Sequence, residues 1–176
     1  PGAVYTEILA GVLIADNRPA IFRFAKVSYI GIRLRLIPGT VYPSCAVLFA
    51  GALIAMKPGV APGYTPINKG RDVRIKNGRS QRGEFLGNII EGASLSSAAT
   101  FNDIDPDYYD DTLSAFIDGI NDGDSFFFVW SPETHPDDVA YCWLAAPAVP
   151  VISRRTEHHD LTLDMGGHSC ATRAAS

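Results

Sequence analysis

A chain of 176 residues that is 47% hydrophobic and 19% charged can bury a sizeable core, which excludes a disordered segment and fits one domain or a small one plus part of another. Its net charge of −4 and pI near 5.5 supply no global attraction to nucleic acid or to an anionic membrane surface. Cys45, Cys142 and Cys170 are odd in number, far apart and in no C-x-x-C spacing, so they read as reduced thiols rather than a disulfide framework or a structural zinc site.

The chain opens on Pro1 without an initiator methionine, so its natural start is expected to have been removed or to lie outside this sequence; no signal peptide is visible. The first fifty-odd residues read as short strands. Ile32, Leu34 and Leu36 alternate with Gly31, Arg33 and Arg35, the period of two expected of a sheet with one wet face. Turn signals at Asp16-Asn17-Arg18-Pro19 and Pro38-Gly39 separate this strand from Val4 to Ile14 and from Val41 to Met56. The apolar run from Cys45 to Met56 has twelve residues, short of the roughly 20 that span a bilayer, and reads as a buried strand kinked or broken at Gly51.

Residues 57 to 70 hold Pro58, Gly59, Pro62, Gly63, Pro66 and Gly70, and a domain boundary or crossover is expected there. Lys69, Arg71, Arg74, Lys76, Arg79 and Arg82 then place six of the fifteen basic residues within fourteen positions. With Val73 and Ile75 between them, this segment reads as an edge strand whose charges blunt its exposed backbone. No aromatic lies between Tyr64 and Phe85, so the bases of a nucleic acid have nothing to stack on.

Eight aspartates fall between Asp103 and Asp124, and they enclose the one predicted helix, about 106–121. Asp105 is its N-cap, Pro106 fits its first turn, and Tyr109, Leu113, Phe116, Ile117 and Ile120 share one face. Asp107, Asp110 and Asp111 lie early in the helix, where the dipole favours negative charge, and Gly123 ends it. From Phe126 to Leu144 two aromatic-rich runs flank Pro132 and Pro136, giving strand, wide turn, strand, expected at the centre of the β core with Trp130 and Trp143 inside it. Leu161, Leu163 and Met165 alternate with Asp160, Thr162 and Asp164 in a last strand, and 168–176 reads as a tail or an arm ordered by a neighbour.

Chemistry is sparse. Glu133, His135, Asp137 and Asp138 could supply an acid and a base, but acids and prolines are also what an exposed turn is made of. A metal site drawn from His135, Asp137, His158 and His159 is opposed by strand geometry, which sends adjacent histidines to opposite faces. Gly78 to Gly83 has the spacing G-x-S-x-x-G, one residue longer than a nucleophile elbow, and reads as a turn. No Walker loop or dinucleotide fingerprint is present, so no cofactor is expected.

The segment Gly63 to Ile67, the basic strand, the S-x-x-G-x-F-L-G motif at Ser80 to Gly87, the acidic helix and the FFFVWSPETHPDDVAYCW hairpin together resemble the tail-tip or distal-tail baseplate proteins of long-tailed bacteriophages, over Tyr29 through Gly167. The resemblance implies a mainly β protein: a tail-tube-like β-sandwich or barrel with one helix at 57–167, after the end of a galactose-binding, jelly-roll-like module at 1–56. It further implies a non-enzymatic virion component, made in the host cytoplasm, that assembles into rings with copies of itself and with other tail proteins. Because the earlier strands of such a jelly roll are missing here, a carbohydrate site in that module does not follow.

Rings use heterologous contacts, in which one surface meets a different surface of the next subunit. The basic segment (Lys69, Arg71, Arg74, Arg79, Arg82) and the acidic one (Asp107, Asp110, Asp111) are candidate complementary faces, with His135, Asp137 and Asp138 on a projecting contact turn. Both charged segments are equally open to being solvated surface or to pairing within one subunit. Two other classes stay open: a module binding host-surface carbohydrate on Tyr64, Tyr108 or Trp143, and a cell-envelope hydrolase using His135 and Asp137.

Overall fold

A computed structural model describes residues 6–11, 19–28, 30–37, 39, 45–136, 138–153 and 157–168. They fall into two units, one within 1–15 and 22–53, the other within 16–21 and 54–176.

In the first unit the described residues form neither helix nor strand, and Ile32, Leu34 and Leu36 are all exposed. The strands expected between Val4 and Met56 are therefore absent among the described residues, including the kinked strand at Gly51; 4–5, 12–14 and 41–44 lie outside them. Alternation gives a segment the capacity to line one face of a sheet, but only a partner ladder makes it a strand. No such partner is present among the described residues.

The second unit is mainly β, a six-stranded antiparallel sheet curled into a half-barrel, with one 16-residue helix. Its strands are β1 (Arg71–Arg79), β2 (Phe85–Ile104), β3 (Phe126–Val129), β4 (Val139–Leu144), β5 (Val151–Ile152) and β6 (His159–His168). The sheet order is β1-β2-β6-β4-β3, with β5 also paired to β6. Hence β6 runs through the middle, and the aromatic hairpin β3–β4 occupies one end of the sheet rather than its centre. The predicted alternation of β6 holds: Leu161, Leu163 and Met165 are buried, Thr162 and Asp164 exposed. The strand continues through the two glycines to His168, so the predicted tail starts later than expected; 169–176 lie outside the described residues.

The helix starts where its sequence predicts. The Asp105 carboxylate accepts from the Tyr108 N–H, Pro106 occupies the first turn, and helical residues end at Asn121, with Gly123 at a φ of +106°. One detail departs from a regular helix: Tyr109–Leu113 forms a π turn between α segments Pro106–Tyr108 and Ser114–Asn121, and the Ser114 N–H donates to the Tyr109 carbonyl. Leu113, Ile117 and Ile120 enter the core, and Phe116 meets Phe126 of β3 edge-to-face at 5.6 Å. The helix thus closes one face of the sheet over Ala99, Phe101, Cys142, Leu161, Leu163 and Met165.

Two ionisable groups belong to this core and its margin. Burial pushes the Cys142 thiol up to about 12, partly offset by its hydrogen bond with the Phe128 backbone. Burial likewise raises Tyr64 to about 12 against the opposing hydrogen bond with Ser97. Both folded values exceed the unfolded ones, so the stability they contribute is complete below about pH 8.5 and is lost as pH rises toward 12. Urea unfolding is expected to give a stability roughly 2–4 kcal/mol lower at pH 11 than at pH 8.

Candidate assembly interface

The first half of β2, from Phe85 to Ser94, pairs only with β1, while Leu95 onward pairs with β6. Residues 71–94 therefore form a two-stranded arm extending past the packed core, and nearly every residue in it is exposed. An isolated two-stranded hairpin is at best marginally stable in water. Its apolar content is high for such a place: Ile75, Ile89 and Ile90 are 51%, 69% and 57% exposed, and Phe85 and Leu86 are exposed beside the turn.

Register sorts these side chains. Val73 pairs with Ala93 and Ile75 with Ile90, on the face that continues through Leu95 and Ala99 into the core. On the opposite face Arg74 pairs with Gly92 and Lys76 with Ile89. Near the tip Arg79 pairs with Phe85, on the face of Val73 and Ile75 by the alternation of β1. The ladder shifts between Arg74 and Ile75, where Glu91 is the extra residue, and Lys76 lies 3.9 Å from that carboxylate. Of the Gly78–Gly83 segment, expected as a turn, Gly78 and Arg79 still belong to β1, and the turn lies at Ser80 to Glu84: the Ser80 N–H donates to the Glu84 carbonyl and the Gly83 N–H to that of Ser80.

Among the described residues Arg71, Arg74, Arg79 and Arg82 make no ion pair, nor do Asp107, Asp110 and Asp111, which are exposed on the helix. Among the described residues the two charged segments do not pair with each other within one subunit. Each keeps its charge available to another surface.

The turn between β3 and β4 is tied to itself. His135 stacks on Trp130 at 4.6 Å, Thr134 Oγ1 lies 2.8 Å from His135 Nδ1, and the Asp138 carboxylate accepts from Trp130 Nε1 at 3.2 Å and from Asn68 Nδ2 at 2.6 Å. Desolvation alone would raise the Asp138 pKa, but these hydrogen bonds and the charges of Lys69 and His135 outweigh it and hold the carboxyl below its usual range. Both oxygens are thus occupied in fixing the turn. Asp137 lies outside the described residues. His158 and His159 diverge as strand geometry requires, His158 Nδ1 meeting Asp103 at 2.8 Å and His159 stacking against Tyr109 at 4.9 Å. Among the described residues no group of His, Cys, Asp and Glu side chains is arranged to hold a metal ion, and no helix is long and apolar enough to cross a membrane.

Sequence reasoning missed half of this site. The strand from Phe85 to Ser94 carries Gly87, Gly92 and a bulge, which break the alternation that would have marked it. Compared with known protein families, with curated proteins and with solved structures, the chain gives no match.

Proposed function

We propose that this protein is a non-enzymatic structural subunit that assembles with copies of itself through the β1–β2 arm, and that its setting is a bacteriophage tail tip or baseplate. The arm carries the self-assembly reading. A two-stranded ribbon with uncovered isoleucines and unpaired arginines has a strong thermodynamic reason to be covered, since burial of apolar area contributes roughly 25 cal/mol per Å². The exposed aspartates of the helix offer the opposite charge on a different surface, as a heterologous ring contact needs. The tail setting rests on the sequence resemblance, with neighbouring tail proteins as the further partners.

Charge reversal tests the pairing. Arg74→Glu with Arg79→Glu is expected to weaken self-association by about tenfold or more, with the monomer's circular dichroism unchanged. Adding Asp110→Lys and Asp111→Lys to the same chain should restore part of the loss. Assembly that is indifferent to both sets would remove the helix from the contact.

A further inference from the structure

The outer face of the sheet holds an aromatic platform independent of the arm. Trp143 was expected in the core but is 37% exposed, because Ala140 and Cys142 take the inward positions of β4 and leave Tyr141 and Trp143 facing outward. Trp143 pairs with Gly166 of β6, and a Cβ on that glycine would lie 2.7 Å from the indole Nε1 and 2.9 Å from Cε2. The indole therefore rests on bare backbone, and only glycine allows it to lie so close. The Nε1–Cε2 side of the ring lies against Gly166, while the residue keeps more than a third of its surface exposed. Tyr141 continues the platform toward Phe127, with ring centroids 5.2 Å apart, and His168 stands edge-on to Trp143 at 5.2 Å.

The polar groups around this surface are unspent. Neither the Trp143 Nε1–H, the Tyr141 hydroxyl nor the Asp164 carboxylate has a hydrogen-bond partner among the described residues. The other two aromatic candidates for such a role are engaged: Tyr108 donates to the Ala55 carbonyl at 2.5 Å, and Tyr64 packs against Phe128 and Trp130. A flat apolar ring with hydrogen-bonding groups at its edge matches a ligand that is itself apolar on one face and hydroxylated around its rim. That ligand is a pyranose. A single open plane lacks the enclosure that makes cation–π binding of a quaternary ammonium strong, and the Asp164 carboxylate beside it opposes a phosphate chain.

We infer that the Trp143 platform, with Tyr141, Asp164 and His168 at its margin, binds the hexopyranose rings of an oligosaccharide. The inference stands apart from self-assembly and could hold whether or not the arm forms rings. The test is calorimetric and fluorescence titration of the whole chain with cellohexaose, chitohexaose, a galactan-derived tetrasaccharide and choline. Saturable binding of at least one sugar is expected, weakened about tenfold or more by Trp143→Ala and several-fold by Asp164→Asn. Should Trp143→Ala fail to fold, Trp143→Phe and Asp164→Asn carry the comparison. Binding of choline alone, binding of no sugar, or sugar binding untouched by these variants overturns the inference. A loss of self-association in Trp143→Ala without sugar binding would overturn it as well, giving the face to a subunit contact.

Discussion

Phe101→Ala is expected to cost about 3–5 kcal/mol of stability and to lower the melting temperature by roughly 12–20 °C. Phe101 is 1% exposed and sits opposite Leu161 where the two longest strands of the packed sheet meet. Its ring also stands edge-to-face to Phe128 at 6.5 Å, and Phe128 in turn contacts Tyr64 at 5.9 Å. Truncation removes one wall shared by β2, β6 and β3, and the backbone of β2, held here in its ladder with β6 and by the Ala61 N–H donating to the Thr100 carbonyl, has little freedom to collapse into the gap. A domain's whole stability is about 5–15 kcal/mol, so partial unfolding at physiological temperature is a realistic outcome, read by thermal or urea melts. A loss below 1 kcal/mol would mean that Phe101 is not packed as described.

The second large effect concerns association rather than folding. Ile75 and Ile90 face each other across the arm and form the outermost apolar pair on the face continuous with the core. Converting both to aspartate is expected to change monomer stability by less than about 1 kcal/mol, because both sites are exposed in one subunit. In an assembly that covers them, two unpaired carboxylates would be buried, at a cost of several kcal/mol, enough to weaken association by about 100-fold or more. A stability effect and an assembly effect are thereby separated in one molecule.

How much could be read beforehand followed from how local each signal was. The helix depended on Asp105, Pro106 and a five-residue apolar face, all within one short stretch, and its start and buried stripe appear as predicted. The π turn was not legible, since nothing in the residue types of Tyr109–Leu113 distinguishes it from a regular helical turn. The last strand was readable from Leu161, Leu163 and Met165, but its central place was not, because strand order is settled by pairing between distant segments. The aromatic density of Phe126 to Leu144 suggested the middle of the core, yet Tyr141 and Trp143 face outward and β3 ends the sheet. Before residue 57 the alternation of Ile32, Leu34 and Leu36 had no partner strand among the described residues to make it structure.

The candidate site shows the same division. The basic run on β1 was visible as a charge pattern and as an edge strand, and the structure places it at the sheet's edge. Its partner strand and the exposure of Ile75, Ile89 and Ile90 emerged only from pairing. Conversely, His135 and Asp138 looked like chemistry in the sequence because their neighbours were unknown. With Trp130, Thr134 and Asn68 in place, their side chains hold the turn together.

The most direct test of self-assembly through the arm is the solution mass of the purified chain, measured by light scattering up to tens of micromolar, for the native sequence beside Ile75→Asp/Ile90→Asp. The native chain is predicted to form a closed species of fixed copy number and the double variant a folded monomer; a native chain that stays monomeric throughout, or a variant that assembles equally well, would contradict the account.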